Sequence, residues 1–504
     1  MVKKILRNPY FLSGLSAALL RLSFPKPGLW ICAWLALVPL FFALEKQKGA
    51  KAFFVSFFCG YIFFATTVFW LMHVTWTGMF VVAAYLALYV AVFGRIVAAY
   101  QAKGLSFGQR LLFVPALWVS CEFVRSYFLL GFPWALLGNS QASDLLAIQA
   151  ADITGVYGVS FIVVFVNVFL FEFVRSLPRK PLSFKATVVP VCVVLAWMGY
   201  GAYRLAEDPR ESCFFKVACV QGNIQQEIKW ASGFRDRILK KHQILTEIVS
   251  LKTEPDLIVW PETSYPDYLD PGAPQTFEKD FLRGNDSAPL LVGSITLRNA
   301  RYFNSAILFS GDGKILNMYD KIHLVPFGEY IPARRFFPFL AAVVPIEDFT
   351  PGREHVIFSL SGRACPSLRL AALICFEDIF GDLTRRFVQK GADVLVNMTN
   401  DAWFGDTSSP YQHMQASVLR AVENRVFVVR SANTGISCCI NDTGKVTATV
   451  RDVSGKPTFV TSYQTAQVAR TRRGAVYTKI GDVFVLLCIF YAMMIMIWRI
   501  KIRR

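Results

Sequence analysis

The 504-residue sequence is short of charge. Charged residues make up 17% of it, against 54% hydrophobic and 15% aromatic residues, whereas a soluble globular chain usually carries about 25% charge. The deficit argues against an ordinary soluble protein and for lipid as part of the solvent. Negative charge is the scarcer sign, with 35 Asp+Glu against 53 Lys+Arg. Residues 211–470 hold 27 and 28 of these, so the positive surplus lies beside the apolar segments on either side. That placement orients membrane spans. A nucleic-acid binder would concentrate the charge on its folded domain, so that partner is excluded. The 11 cysteines show no C-x-x-C spacing, which signals neither a zinc site nor a disulfide framework. P-loop and Gly-rich dinucleotide fingerprints are also missing. No cofactor and no metal are expected.

What the sequence has instead is long apolar runs. A span needs roughly 20 mostly apolar residues, and eight candidates fall at about 9–24, 28–44, 52–72, 78–98, 111–131, 155–175, 183–203 and 478–498. No small-residue cleavage site follows the first, so a cleaved leader is not expected. Positive residues fill alternate loops: Lys3, Lys4 and Arg7, then Lys46, Lys48 and Lys51, then Arg95, Lys103 and Arg110, then Arg175, Arg179, Lys180 and Lys185, and finally Arg499 to Arg504. Residues 73–78 and 131–154 hold no Lys or Arg. The positive-inside rule then places both termini in the cytoplasm and the long 212–470 segment on the other face. Glu122 and Arg125, three apart in the fifth candidate, suit a local ion pair or an intramembrane functional site.

Residues 212–470 differ in character. Short runs rich in β-branched residues occur at 216–221, 256–260, 289–295, 305–309, 369–374, 393–397 and 426–430, with helical patterns at 232–251 and 410–424. Apolar runs without alternation suit strands buried on both faces of an α/β layer architecture. Ligands in such folds gather at strand ends, and three runs end in chemically loaded text: WPET, ICFED and NMTNDAWFG. Cys375 follows an apolar run and opens a helix-like stretch, where a helix amino end lowers a thiol pKa. Glu262 sits where a carboxylate can take a thiol proton. Lys321 offers a compact cation for an oxyanion. Each residue alone also fits a bland role: a buried cysteine, a loop carboxylate, a surface lysine. His323 and His413 keep a cysteine–histidine pair open.

The ordered set changes this reading. W-P-E at 260–262, D-K-x-H-L-V-P-F-G-E at 320–329, C-x-E at 375–377, N-x-x-N-D-A-W-F-G from Asn397 and R-A-x-E-N-R from Arg420 together resemble the nitrilase, or carbon–nitrogen hydrolase, superfamily. The resemblance implies an αββα sandwich and a catalytic set of Glu262, Lys321 and Cys375 with Glu329 as a second glutamate. Seven spans before such a domain and one after it are similar to the apolipoprotein N-acyltransferase family. That likeness implies a thioester on Cys375, a membrane phospholipid as acyl donor and the α-amine of a diacylglyceryl-cysteine as acceptor. It implies substrate contacts from Trp230, Phe376, Glu377 and Trp403, and a bacterial inner-membrane location with the catalytic domain periplasmic. Phe376 stands where the family commonly has tyrosine. The expected fold is a helical bundle of about eight spans plus the sandwich, divided as 1–211, 212–470 and 471–504. The aromatic, proline-bearing stretch 334–346 is a candidate membrane-touching arm. A membrane-tethered amidase or nitrilase is the alternative.

Overall fold

A computed structural model describes the chain except at residues 1–7, 102–103, 130, 179–180, 209–210, 230–232, 273–280, 282–286, 333–347, 472 and 502–504. Trp230 and the stretch 334–346 therefore lie outside the described residues. The chain divides into two compact units: Met1–Glu207 with Thr407–Gln415 and Lys479–Arg504, and Asp208–Asp406 with Ala416–Thr478.

The first unit is helical. Among the described residues four helices, Gly49–Thr67, Trp76–Gln101, Ala151–Ser176 and Phe184–Ala206, are long and apolar enough to cross a membrane, not the eight expected. The other candidates fall short for local reasons. Stretch 28–44 breaks into a 3-10 turn, Trp30–Trp34, and a short helix, Val38–Leu44. Pro39 in its first turn has no N–H to continue a helix from upstream. Buried Asn167 satisfies the broken backbone, accepting from Leu37 N–H at 2.7 Å and donating to the Ala33 carbonyl at 2.8 Å. The first helix, Pro9–Leu22, has only 14 residues, and Phe107–Tyr127 carries Arg110, Glu122 and Arg125.

Glu122 and Arg125 serve the backbone. Arg125 donates to the carbonyls of Phe132 at 3.0 Å and Trp134 at 2.6 Å, and Glu122 accepts from Leu137 N–H at 2.7 Å. The two charges thus clamp the non-helical segment after their own helix. Helices Gly49–Thr67 and Trp76–Gln101 cross closely. A Cβ at Gly60 would lie 2.9 Å from the Val90 Cβ and 3.0 Å from the Ala87 Cα, the small-residue contact typical of helices packed in lipid. Thr407–Gln415 joins this unit through Gln412, whose side-chain oxygen accepts from both Trp70 and Trp134 Nε1, at 3.1 and 2.7 Å.

The second unit is a two-sheet sandwich. Strands β1 (Ser212–Gln221), β2 (Leu257–Val259), β3 (Tyr268–Leu269), β4 (Leu290–Arg298), β5 (Arg301–Phe309) and β6 (Ile315–Asp320) join β13 (Ser462–Arg470) in a sheet ordered β13-β1-β2-β4-β5-β6, with β3 on β4. Strands β7 (Phe358–Gly362), β8 (Cys365–Ile374), β9 (Val394–Thr399), β10 (Phe427–Ala432), β11 (Cys438–Ile440) and β12 (Val446–Thr449) form the other, in the order β12-β11-β10-β9-β8-β7. Each has a parallel centre, β1-β2-β4 and β8-β9-β10, flanked by antiparallel strands. Helices Arg235–Thr253, Gly381–Gln389 and Ser409–Asn424 are the crossovers that parallel strands require. The buried core on the first sheet gathers Ala218, Val220, Leu239, Val249, Ile258 and Trp260.

A disulfide joins Cys213, at the start of β1, to Cys365, at the start of β8, and so ties one sheet to the other. The sequence spacing did not signal it, because the partners stand 152 residues apart. A bridge closing so long a loop removes much freedom from the unfolded chain. Cys213→Ser is expected to destabilise this unit by about 2–5 kcal/mol. Thermal melting of the purified protein measures it, and an unchanged midpoint would contradict the expectation.

Candidate active site

Three strand ends and one mid-strand residue converge. Glu262 follows β2, Lys321 follows β6, Cys375 follows β8, and Asn304 projects from within β5. Lys321 is 1% exposed. Its Nζ lies 2.9 Å from Glu329 Oε1 and 3.6 Å from Glu262 Oε1. Burial works against its charge, but Glu329 and then Glu262 more than offset it, so its pKa is raised. Asn304 Nδ2 donates to both carboxylates, at 2.8 Å each. Glu329 Oε2 also accepts from Val325 N–H at 2.7 Å. Glu329 is therefore tied by three donors and grips Lys321, while Glu262 holds the cation less closely. Behind Glu262 the wall is bare backbone: a Cβ at Gly293 would lie 2.6 Å from Glu262 Cα.

Cys375 sits at φ +53°, the left-handed region that L residues rarely adopt. The sharp turn from β8 into the 3-10 segment Cys375–Ile379 places this strained residue at the strand end. Asn397 Nδ2 donates to the Cys375 carbonyl at 2.9 Å, and Thr399 Oγ1 donates to the Cys375 Sγ at 3.3 Å. The lowered thiol pKa expected of a helix amino end is not found. Burial first, and then the Glu262 charge, push the Cys375 thiol well above its ordinary value, with Lys321 opposing. At rest Cys375 is therefore a neutral thiol, with the Glu262 carboxyl among the groups that keep it so. Alkylation of Cys375 by iodoacetamide, followed by peptide mass, should therefore keep accelerating from about pH 7 to about pH 9. A plateau below about pH 8 would mean a preformed thiolate.

The remaining expected residues separate. Glu377, expected as a substrate contact, has its carboxylate bonded to the protein's own groups. It is fully buried, and its Oε1 accepts from Tyr319 Oη at 2.7 Å, Ile322 N–H at 2.8 Å and His323 N–H at 3.1 Å, while Oε2 accepts from Ile374 N–H at 2.7 Å. Burial pushes its pKa up to about 7 against those bonds. Glu377 fastens the segment bearing Lys321 to the turn bearing Cys375. Phe376 packs edge-on against Phe380 at 5.3 Å, so ring contact holds it without a hydroxyl. Trp403 is 53% exposed on the turn Asp401–Phe404 after β9. His323 lays its ring on Phe380 at 3.8 Å, and His413 packs on Trp134 in the helical unit. Among the charges acting on the thiol, Glu262 raises its pKa and Lys321 lowers it.

Sequence reasoning missed Asn304, Thr399 and Lys229. Asn304 gave a faint signal as a lone amide in the apolar run SAILF and its approach. Lys229 gave none, since a lysine beside the start of a helical stretch reads as solvated.

Residues 16–169 match the family model of the apolipoprotein N-acyltransferase N-terminal domain, and residues 216–473 match that of carbon–nitrogen hydrolase. The chain is similar to the apolipoprotein N-acyltransferase of Geobacter metallireducens, at 37% identity over 96% of this chain and 94% of that one. It is similar at 30% identity to those of Pasteurella multocida, over 96% and 93%, and Chlorobaculum tepidum, over 97% and 96%. The chain belongs to the apolipoprotein N-acyltransferase family. Membership makes it a membrane acyltransferase of lipoprotein biosynthesis with a nitrilase-like catalytic unit, and the tethered hydrolase falls away.

Proposed function

We propose that this enzyme moves an acyl chain from a membrane phospholipid, through a thioester on Cys375, to the α-amine of a diacylglyceryl-cysteine on an apolipoprotein. The observation that carries the reading is the unequal grip on Lys321, 2.9 Å from Glu329 and 3.6 Å from Glu262. Glu329 anchors the cation and leaves Glu262 to move protons. Glu262 takes the thiol proton as sulfur attacks the ester carbonyl. Lys321 and the Phe376 N–H receive the oxyanion. On collapse, the departing lysophospholipid oxygen takes the proton from Glu262, and the thioester remains. The acceptor amine then attacks, Glu262 takes its proton, and the amide leaves as the thiol is restored.

We place the chain in a bacterial inner membrane, with residues 1–211 and 471–504 contributing about eight spans and both termini cytoplasmic. Residues 212–470 then form the periplasmic catalytic domain. The alternating positive loops support this orientation. So does the Cys213–Cys365 disulfide, which belongs in an oxidising compartment. Trp230, Phe376 and Trp403 are retained as lipid contacts. The desolvated surroundings of Cys375 limit the water that would compete for the thioester.

The test is phospholipid with purified enzyme and no acceptor. One stoichiometric release of lysophospholipid is expected. With acceptor present, double-reciprocal plots should be parallel, as ping-pong transfer requires. Continuous release of fatty acid without acceptor would contradict the reading.

A further inference from the structure

Lys229 ends the one-turn helix Gln226–Lys229 and is 4% exposed. A lysine so deeply buried needs partners for its charge. Its Nζ donates to the Glu262 carbonyl at 3.3 Å and, more closely, to Thr263 Oγ1. Thr263 has φ +45°, a strained conformation for a β-branched residue that persists only where its surroundings enforce it. On one side the enforcement comes from Gly293, where a Cβ would lie 2.6 Å from Glu262 Cα and 2.7 Å from Thr263 N. Lys229 supplies the other. The turn bearing Glu262 is held between a bare strand and a buried ammonium. The triad leaves this second cation unexplained, because Lys321 already stands nearer Glu329 than Glu262.

We infer that Lys229 is a positioning residue of the acyl transfer, fixing the turn from which Glu262 shuttles protons in both half-reactions. This rests on Glu262 being the base proposed above. The groups facing Lys229 fit the role. Glu262 and Thr263 come from the turn after β2, Cys375 from the turn after β8, and His242 from helix Arg235–Thr253. Burial lowers the Lys229 pKa to about 8, with the Glu262 and Cys375 charges opposing. Burial also lowers His242 to about 4, so that histidine stays neutral and adds no competing charge. A loosened turn would misdirect Glu262 for thiol and amine alike, whereas a residue that only bound one lipid would affect one step.

The experiment uses the full-length enzyme in detergent micelles with Lys229→Met, which keeps side-chain length and removes the donors. Two rates are measured per folded enzyme: thioester formation on Cys375 from phosphatidylethanolamine, and aminolysis of the preformed thioester by a diacylated lipopeptide. Both are expected to fall at least about tenfold, by similar factors, with the apparent KM for phospholipid unchanged. Two unchanged rates would overturn the inference, as would a loss confined to one half-reaction. Should the methionine variant not fold, Lys229→Gln carries the same measurement. Failure of both to fold would assign Lys229 to stability and overturn its role in positioning. A wild-type enzyme that forms no Cys375 thioester would sink the proposed function and this inference with it. A normal wild-type thioester beside an unaffected variant would sink the inference alone.

Discussion

Cys375→Ser is expected to fold and insert normally and to lose acyl transfer by at least about 10³-fold, a barrier increase of about 4 kcal/mol. The reason lies in what surrounds the sulfur. The thiol is already pushed well above its ordinary pKa by burial and by Glu262, so the base has little driving force to spare. A serine hydroxyl is far less acidic than a thiol, and Glu262 has no means of removing its proton at a useful rate. The substitution changes one atom, in contact with Thr399, on a residue whose backbone carbonyl Asn397 holds, so the turn should survive. Transfer of labelled palmitate from phospholipid to a diacylated lipopeptide gives the activity, and melting behaviour gives the fold. Activity within tenfold of wild type would remove Cys375 as the nucleophile.

Lys321→Arg is expected to retain less than about a tenth of the acylation rate, a barrier increase above ~1.4 kcal/mol, although the charge is kept. The Lys321 ammonium is 1% exposed and sits among Glu329, Glu262 and Asn304 in a space matched to a compact, three-donor head. A planar guanidinium is larger and fixes its donors in one plane. It would engage Glu329 in a two-point bond and draw the cation away from the oxyanion position. Thioester formation from phospholipid alone is the readout, since it isolates the first half-reaction. Near-normal acylation would make Lys321 a structural ion-pair partner and no more.

Much of this site was legible because its chemistry sits at strand ends. The runs at 256–260 and 369–374 correspond to β2 and β8, and the turns after them carry Glu262 and Cys375. Strands β6, β7, β12 and β13 were not visible, because each is partly exposed and lacks the uninterrupted apolar run of the central strands. The Cys375 environment misled in one respect. Position after a strand suggested a helix dipole lowering the thiol pKa, yet the 3-10 turn is one short segment, and desolvation outweighs any dipole there. The family resemblance implied a substrate contact from Glu377, and in the structure its carboxylate accepts from backbone N–H groups and Tyr319. Asn304 and Lys229 act through contacts 25 to 42 residues away in sequence, and no local pattern records such contacts. In the helical unit, hydropathy does not register the break at stretch 28–44, which Pro39 and Asn167 support.

The central claim is that one cysteine carries the acyl chain between two lipids. The most direct measurement is the intact mass of the enzyme, and of its Cys375 peptide, after incubation with a phospholipid of defined acyl chains and no acceptor. One acyl group should be found on Cys375, labile to hydroxylamine as a thioester is, and lost on adding a diacylated lipopeptide with formation of its amide. An unmodified Cys375 in enzyme that still transfers the chain when both lipids are present would contradict the account.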